Sequence, residues 1–296
     1  MMAGWLEIVG MGGPATVQDG GRPGQMHHGV PPGGALVPEL LALANRAVGN
    51  AWDAAALECL GSLELRARGR PLRVSVDGRS EQVVSDGESL RVPAPEHASI
   101  RYVAVDGGLD VQEVLGGRGT LLVARLGGHE GRVLRPGDSL PVGAPRGPSE
   151  QVDAEGIWDD TAPIRLMLGP DTESFDALMA ASLLGSTFTV SSASDRVGMR
   201  LQGPALAHGD EGASTSRPMV RGAIQVTLSG EPIILGPDHP TTGGYPLIAT
   251  VIRADWGRLG ARRPGATVEF HAVNPDEARE AWRQHLRRFR GGARAG

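Results

Sequence analysis

No lysine occurs anywhere in the 296 residues; all 29 basic residues are arginine. That absence excludes a Schiff-base lysine, a P-loop lysine and a biotinyl-lysine on this chain. Any phosphate would have to be handled by arginine and backbone amides. Cysteine is nearly missing as well. Cys59 stands alone, so no intrachain disulfide can form and a reducing cytoplasm fits best. No apolar run approaches the ~20 residues that span a bilayer, and no basic stretch followed by an apolar one opens the chain. The expectation is a soluble cytoplasmic protein without membrane contact. The net charge of −5 makes no case for nucleic acid. The motifs H-E-x-x-H, G-x-S-x-G and G-x-x-x-x-G-K are absent, and no Cys/His spacing suggests zinc, so no metal site is expected.

Glycine and proline are plentiful, 44 and 22 residues, which favours turn-rich β structure over helical bundles. The length suggests two domains. We expect an N-terminal domain over 1–142, a polar linker over 143–162, a second domain over 163–273, and a C-terminal helix and tail over 274–296. Short strands are predicted at Leu6–Met11, Ser62–Arg66, Leu72–Val76, Gln82–Val84, Ser89–Val92, Ile100–Val105, Ile164–Leu168 and Phe188–Val190. Val111–Leu115 reads as a helical turn. A helix from Pro38 ends near Val48 before Gly49, with Leu40, Leu41, Ala44 and Val48 on its apolar stripe. Gly169–Gly185 reads as a second helical unit capped by Asp171, with Phe175, Leu178 and Met179 on one face. The last helix begins at Asn274-Pro275 and ends among Arg287, Arg288 and Arg290, its apolar side being Ala278, Trp282, Leu286 and Phe289. Arg135–Leu140 and Arg263–Val268 are matched turns leading into closing strands, which agrees with two β-rich halves of similar size.

Three loops carry the chemistry. Thr16–Gly34 is rich in glycine and proline and holds Asp19 and Arg22, close enough to pair, with His27 and His28 in the same loop. Gly116–Thr120 carries Arg118. Asp238–Pro246 packs Asp238, His239, Thr241, Thr242, Gly243, Gly244 and Tyr245 between two apolar runs, Glu231–Leu235 and Leu247–Ile252. As a plain hairpin turn it would need none of these groups. As a site, its hydroxyls, amides and phenol suit a carboxylate, phosphate or amide. Asp195-Arg196 is either an ion pair bracing a turn, worth roughly 0–1 kcal/mol if exposed, or part of an anion site. Gln225 lies in a β run, where it either faces solvent or joins a site.

Taken together, these segments resemble one family. Thr16–Gly34 is similar to the T-V-Q-D-x-G-R…G-V-P-x-x-G signature of the PxpC/KipA family, which includes the C subunit of 5-oxoprolinase and is also called allophanate hydrolase subunit 2. It is similar too to the carboxyltransferase region of urea carboxylase. The resemblance continues through Ala44-Asn45, Val48–Asn50, Leu57-Glu58, Leu115–Thr120, Gly137-Asp138, Ser194–Leu201, Gly222–Val226 and Thr241–Pro246. It implies a mainly β protein with a few helices, built as two cyclophilin-like β-barrel domains. It implies a hydrolase subunit that works with PxpA- and PxpB-like partners, converting 5-oxoproline to glutamate with ATP and magnesium. The site residues it implies are Asp19 and Arg22 as an orienting pair, with Arg118, Asp195 and Arg196 around the anion. His27, Gln225, Asp238, Thr241, Thr242, Gly243, Gly244 and Tyr245 would hold the lactam or amide. The chain departs from the family pattern at Val37, Gly117, Gly119, Arg217, Pro240 and Leu247, where polar or basic residues are usual. Two other readings stand beside it: a carboxyltransferase-like domain using biotin carried by another chain, and a KipA-type regulatory binding module.

Overall fold

A computed structural model describes residues 3–96, 98–154, 157, 161–169, 177–206 and 216–289, apart from the side chains at 80, 177 and 178. By internal contacts the chain forms two compact units, Met1–Pro23 with Gly33–Ile157, and Gly24–Pro32 with Trp158–Gly296.

The first unit holds β1 (Gly4–Met11), β2 (Ala15–Gln18), α1 (Pro38–Ala47), β3 (Ala56–Cys59), β4 (Leu63–Arg68), β5 (Leu72–Val76), β6 (Ser80–Val84), β7 (Ser89–Val92), β8 (Arg101–Val105) and β9 (Ser139–Val142). They form two sheets, β7-β4-β1-β9 and β2-β3-β8-β5-β6. The sheets meet where the chain turns from β1 into β2 and from β3 into β4. There Gly12 donates to Ser62, and Leu60 to Pro14. A Cβ on Gly13 would lie 2.9 Å from the Gly61 Cα, so the corner closes only with glycine. Leu6, Ile8, Leu65 and Leu140 from one sheet and Val17, Leu57, Val74 and Val103 from the other share one core. Thr16, Val17 and Gln18 are therefore not loop but a buried strand: Val17 joins this core, while Thr16 and Gln18 are buried and bonded to each other. Val111–Leu115 is not helical: Val114 bridges to Gly117, and Leu115 turns between them with positive φ. Stretch 143–154 is irregular but pinned, with Arg73 bonding Gly147 and Ser149 and Arg46 pairing with Glu150.

The second unit holds β10 (Ile164–Leu168), α2 (Ala177–Gly185), β11 (Phe188–Val190), β12 (Gly198–Gln202), β13 (Arg217–Pro218), β14 (Ala223–Val226), β15 (Pro232–Leu235), β16 (Thr242–Gly243), β17 (Leu247–Val251), α3 (Trp256–Gly260), β18 (Thr267–Val268), β19 (Phe270–Ala272) and α4 (Pro275–Phe289). Eight strands form one sheet in the order β18-β11-β12-β15-β14-β17-β10-β19. Its two edge strands are separated in sequence by Glu269 alone, so the sheet must curl until its edges meet, as a nearly closed barrel. Phe188, Leu201, Ile224, Ile234, Ile248 and Phe270 fill it.

The matched turns are real. Gly137 and Gly265 both have positive φ, Asp138 donates to Arg135 and Ala266 to Arg263, and each glycine donates to an adjacent strand, at Ile8 and Val190. In α4 the buried residues are Phe289 and Ala281, the latter beside the predicted face rather than on it, and the Asn274 carboxamide accepts from Asp276 and Glu277 as its cap. Helix α1 is buried nearly all round, Glu39, Ala42, Leu43 and Asn45 included, rather than along one stripe. Asp171, Phe175, Arg290, His97 and His208 lie outside the described residues, as does the side chain of Leu178. Among the described residues no helix is long and apolar enough to cross a membrane.

Candidate functional site

Most of the candidate residues fall into two groups, one in each unit, with His27 joined to neither. In the first unit, β2 ends at Gln18 and delivers Asp19 into a turn. Asp19 is buried. One carboxylate oxygen accepts from the Gly21 amide at 2.8 Å and the other from the Arg118 amide. Burial pushes this carboxyl above its ordinary value of 3.8, against the pull of those amides and of the Arg22 charge. Arg22 is itself buried, and its guanidinium donates to the Gly119 carbonyl. Arg118 donates to the Val111 carbonyl and meets Asp110 at 3.2 Å. Asp19, Arg22 and Arg118 are thus one cluster, with the guanidiniums tied to protein oxygens.

The departures at 117 and 119 belong to this cluster. A Cβ on Gly117 would lie 2.9 Å from the Gly21 carbonyl, and one on Gly119 2.8 Å from Gln18 Oε1 and 2.9 Å from Asp19. Gly117 presses on the Gly21 backbone and Gly119 on the buried side-chain oxygens of Gln18 and Asp19, and glycine is what that spacing admits. Gln18, not among the predicted site residues, is fully buried; its amide donates to Thr16 and Thr120. Val37, the other departure here, is buried too. Its N–H donates to the Tyr102 hydroxyl at 3.0 Å, and the Leu36 N–H donates to Glu58 at 2.8 Å.

In the second unit, Asp238–Pro246 is not a hairpin. Strands β15 and β17 flank β14 rather than each other, so the loop must cross the end of β14. On the way Thr242–Gly243 pairs with Arg217–Pro218 as a two-stranded ribbon, and Met219 donates to the Thr241 carbonyl. This crossing explains Gln225, which lies on β14 beneath the loop. It is buried rather than solvent-facing, and its amide donates to the Tyr245 carbonyl at 3.1 Å. Gly243 sits against that amide, where a Cβ would come within 2.9 Å. Leu247, where a basic residue is usual, packs with Met219, Ala223 and Leu235 under the ribbon. Tyr245 is exposed, and Gly244 follows the ribbon.

Arg196 forks onto Asp238 at 2.8 and 3.0 Å, a partner 42 residues away rather than the neighbouring Asp195. Asp195 accepts from the Val197 and Gly198 amides and braces its own turn. His27 and His28 are exposed on a short 3-10 turn with ring centroids 3.8 Å apart. His239 lies fully buried beside Asp238, its Nδ1 2.8 Å from the Pro240 carbonyl. Burial holds this imidazole below the ordinary 6.5, and the Arg221 charge works the same way. Sequence flagged its loop but carried no signal of its burial.

Among the described residues no group of three or more His, Cys, Asp or Glu is placed to hold a metal ion. With the guanidiniums of Arg22, Arg118 and Arg196 all on protein oxygens, the residues present do not fit a magnesium-triphosphate cradle by themselves.

Comparison with known proteins agrees with this architecture. The chain is 34% identical to the C subunit of 5-oxoprolinase from Escherichia coli (strain K12), covering 96% of each chain. It is 31% identical to the Haemophilus influenzae protein of the same name, over 95% of each. It is 28% identical to urea amidolyase of Lachancea kluyveri, spanning 17% of that longer protein. Among solved structures, K. lactis urea amidolyase superposes with a TM-score of 0.84 at 25% identity, over 95% of this chain and 19% of that one. Residues 28–272 match the carboxyltransferase domain, subdomain A and B, and the chain belongs to that family.

Proposed function

We propose that this chain is the lactam-holding subunit of an ATP-dependent 5-oxoprolinase, acting with PxpA- and PxpB-like partners in the cytoplasm. One observation carries the reading: the match to the C subunit of 5-oxoprolinase runs along 96% of both chains, whereas the match to urea amidolyase takes up 17% of that protein. The chemistry is consistent. A five-membered lactam resists water, and ATP, with magnesium, supplies activation of its carbonyl. This chain's own part is to bind and orient. Thr241, Thr242 and the ribbon amides offer donors to the lactam oxygen and carboxylate. Gln225 holds the ribbon in place through Tyr245. Asp19 and Arg118 fix the loop of the first unit. Because Arg22, Arg118 and Arg196 are committed to protein oxygens, the nucleotide is assigned chiefly to the partners.

Co-expression with the two partner subunits tests this. The expected result is ADP release that depends on 5-oxoproline. An assembled complex without such turnover overturns it. The fold shared with urea amidolyase favours one second reading, a carboxyltransferase-like domain. The absence of lysine means its biotin would ride on another chain. Protection of Thr241–Tyr245 by biotin and not by 5-oxoproline would select that reading. A stable partner complex without either response would select the regulatory module.

A further inference from the structure

Among the described histidines His239 alone is buried, at 0% exposure. Its Nδ1 lies 2.8 Å from the Pro240 carbonyl. A carbonyl oxygen only accepts, so Nδ1 carries the proton and Nε2 carries a lone pair. That Nε2 has no hydrogen-bond partner among the described residues. Buried polar atoms are satisfied in the large majority of cases, and leaving one unmet is costly. Pro240, with no N–H, offers no local donor. The orphaned nitrogen sits directly before the Thr241–Tyr245 ribbon.

An acceptor lone pair in a buried position selects its ligand. It repels a carboxylate or phosphate oxygen and suits an N–H. We propose that His239 Nε2 accepts the ring N–H of the bound lactam, making His239 a substrate-recognition residue of the ribbon site; this rests on the function proposed above. The donors that the carbonyl side of the same amide needs stand in the next residues, the hydroxyls of Thr241 and Thr242. Because Nε2 is covered, a ligand reaches it only when a neighbour moves. The ribbon, which begins three residues on in the chain, is lightly held. It pairs over two residues on each side and rests on Met219, Ala223 and Leu235, a cluster separate from the barrel core.

The test uses the full chain labelled with 15N-histidine, alone and reconstituted with its unlabelled partner subunits. The probes are 5-oxoproline and the lactone with ring oxygen in place of N–H. The expected ligand-free spectrum shows a neutral Nδ1–H tautomer at His239. The lactam should move the Nε2 resonance and the lactone should not. His239→Leu should weaken lactam binding about tenfold while changing lactone binding less than about twofold. If that variant misfolds, the wild-type spectra decide alone. A lactam that binds, shifting residues 241–245, without moving Nε2 overturns this inference and leaves the lactam reading standing. The same holds if Nε2 keeps a bound water in the presence of lactam. No lactam binding by the chain or the complex overturns both.

Discussion

Gly117 and Gly119 stand where the family pattern has hydroxyl residues, and their surroundings explain why restoring a hydroxyl is not simple. At 119 a new Cβ would press on buried Gln18 and Asp19. Gly119→Ser is expected to cost about 1–3 kcal/mol, read as a lower urea midpoint with an unchanged m-value. An unaltered midpoint would mean the loop yields freely. His239 makes a second prediction. Its folded-state value lies below 6.5 because burial disfavours the charged ring. The unfolded chain therefore takes up the proton first. The contribution of His239 is complete above pH 6.5 and is lost as pH falls from there toward the folded value. The non-titrating His239→Asn should flatten the stability profile in that window, measured by urea unfolding at steps between about pH 5 and 7.5. Parallel profiles would show that the ring is not held neutral.

Two elements depend on partners outside themselves. Helix α1 starts after a valine that cannot cap it, and no side chain caps it locally. The N–H groups entering the helix go instead to Tyr102 and Glu58, and the Tyr102 hydroxyl donates in turn to Glu58. Tyr102→Phe removes the acceptor of one amide and a donor to a buried carboxylate. The expected loss is about 2–3 kcal/mol, seen as a drop in Tm; a change within the error of wild type would refute the relay. The Arg217–Pro218/Thr242–Gly243 ribbon is the opposite case, with few bonds and a three-residue footing. Its bonded amides, Met219 among them, should exchange with solvent at least tenfold faster than those of β14 and β17 beneath it. Equal protection would make it part of the barrel rather than a movable piece.

At the scale of the whole molecule, each unit has its own core. The second closes through a single residue between β18 and β19. Phe270 begins the closing strand, and its ring lies 5.9 Å from that of Phe188. Phe270→Ala should destabilise the second unit by about 3–5 kcal/mol. Exchange protection should fall across β10–β19 while the amides of β1–β9 keep theirs. A uniform loss in both units would show that the two cores unfold together.

Much of this was written locally. Strands such as Leu72–Val76, Ser89–Val92 and Phe188–Val190 were bounded by turn residues, the α4 cap by Asn274-Pro275, and the matched turns by Arg-Pro-Gly. Those signals act within a few residues, so sequence alone determined them, together with the family. Tertiary structure decided what depends on distant chain. It carried the Asp238–Pro246 loop over β14, gave Arg196 to Asp238, turned Gln225 inward and buried His239. Periodicity says which residues seek cover, but not which distant strand provides it, and at this protein's candidate site that second question settles the chemistry.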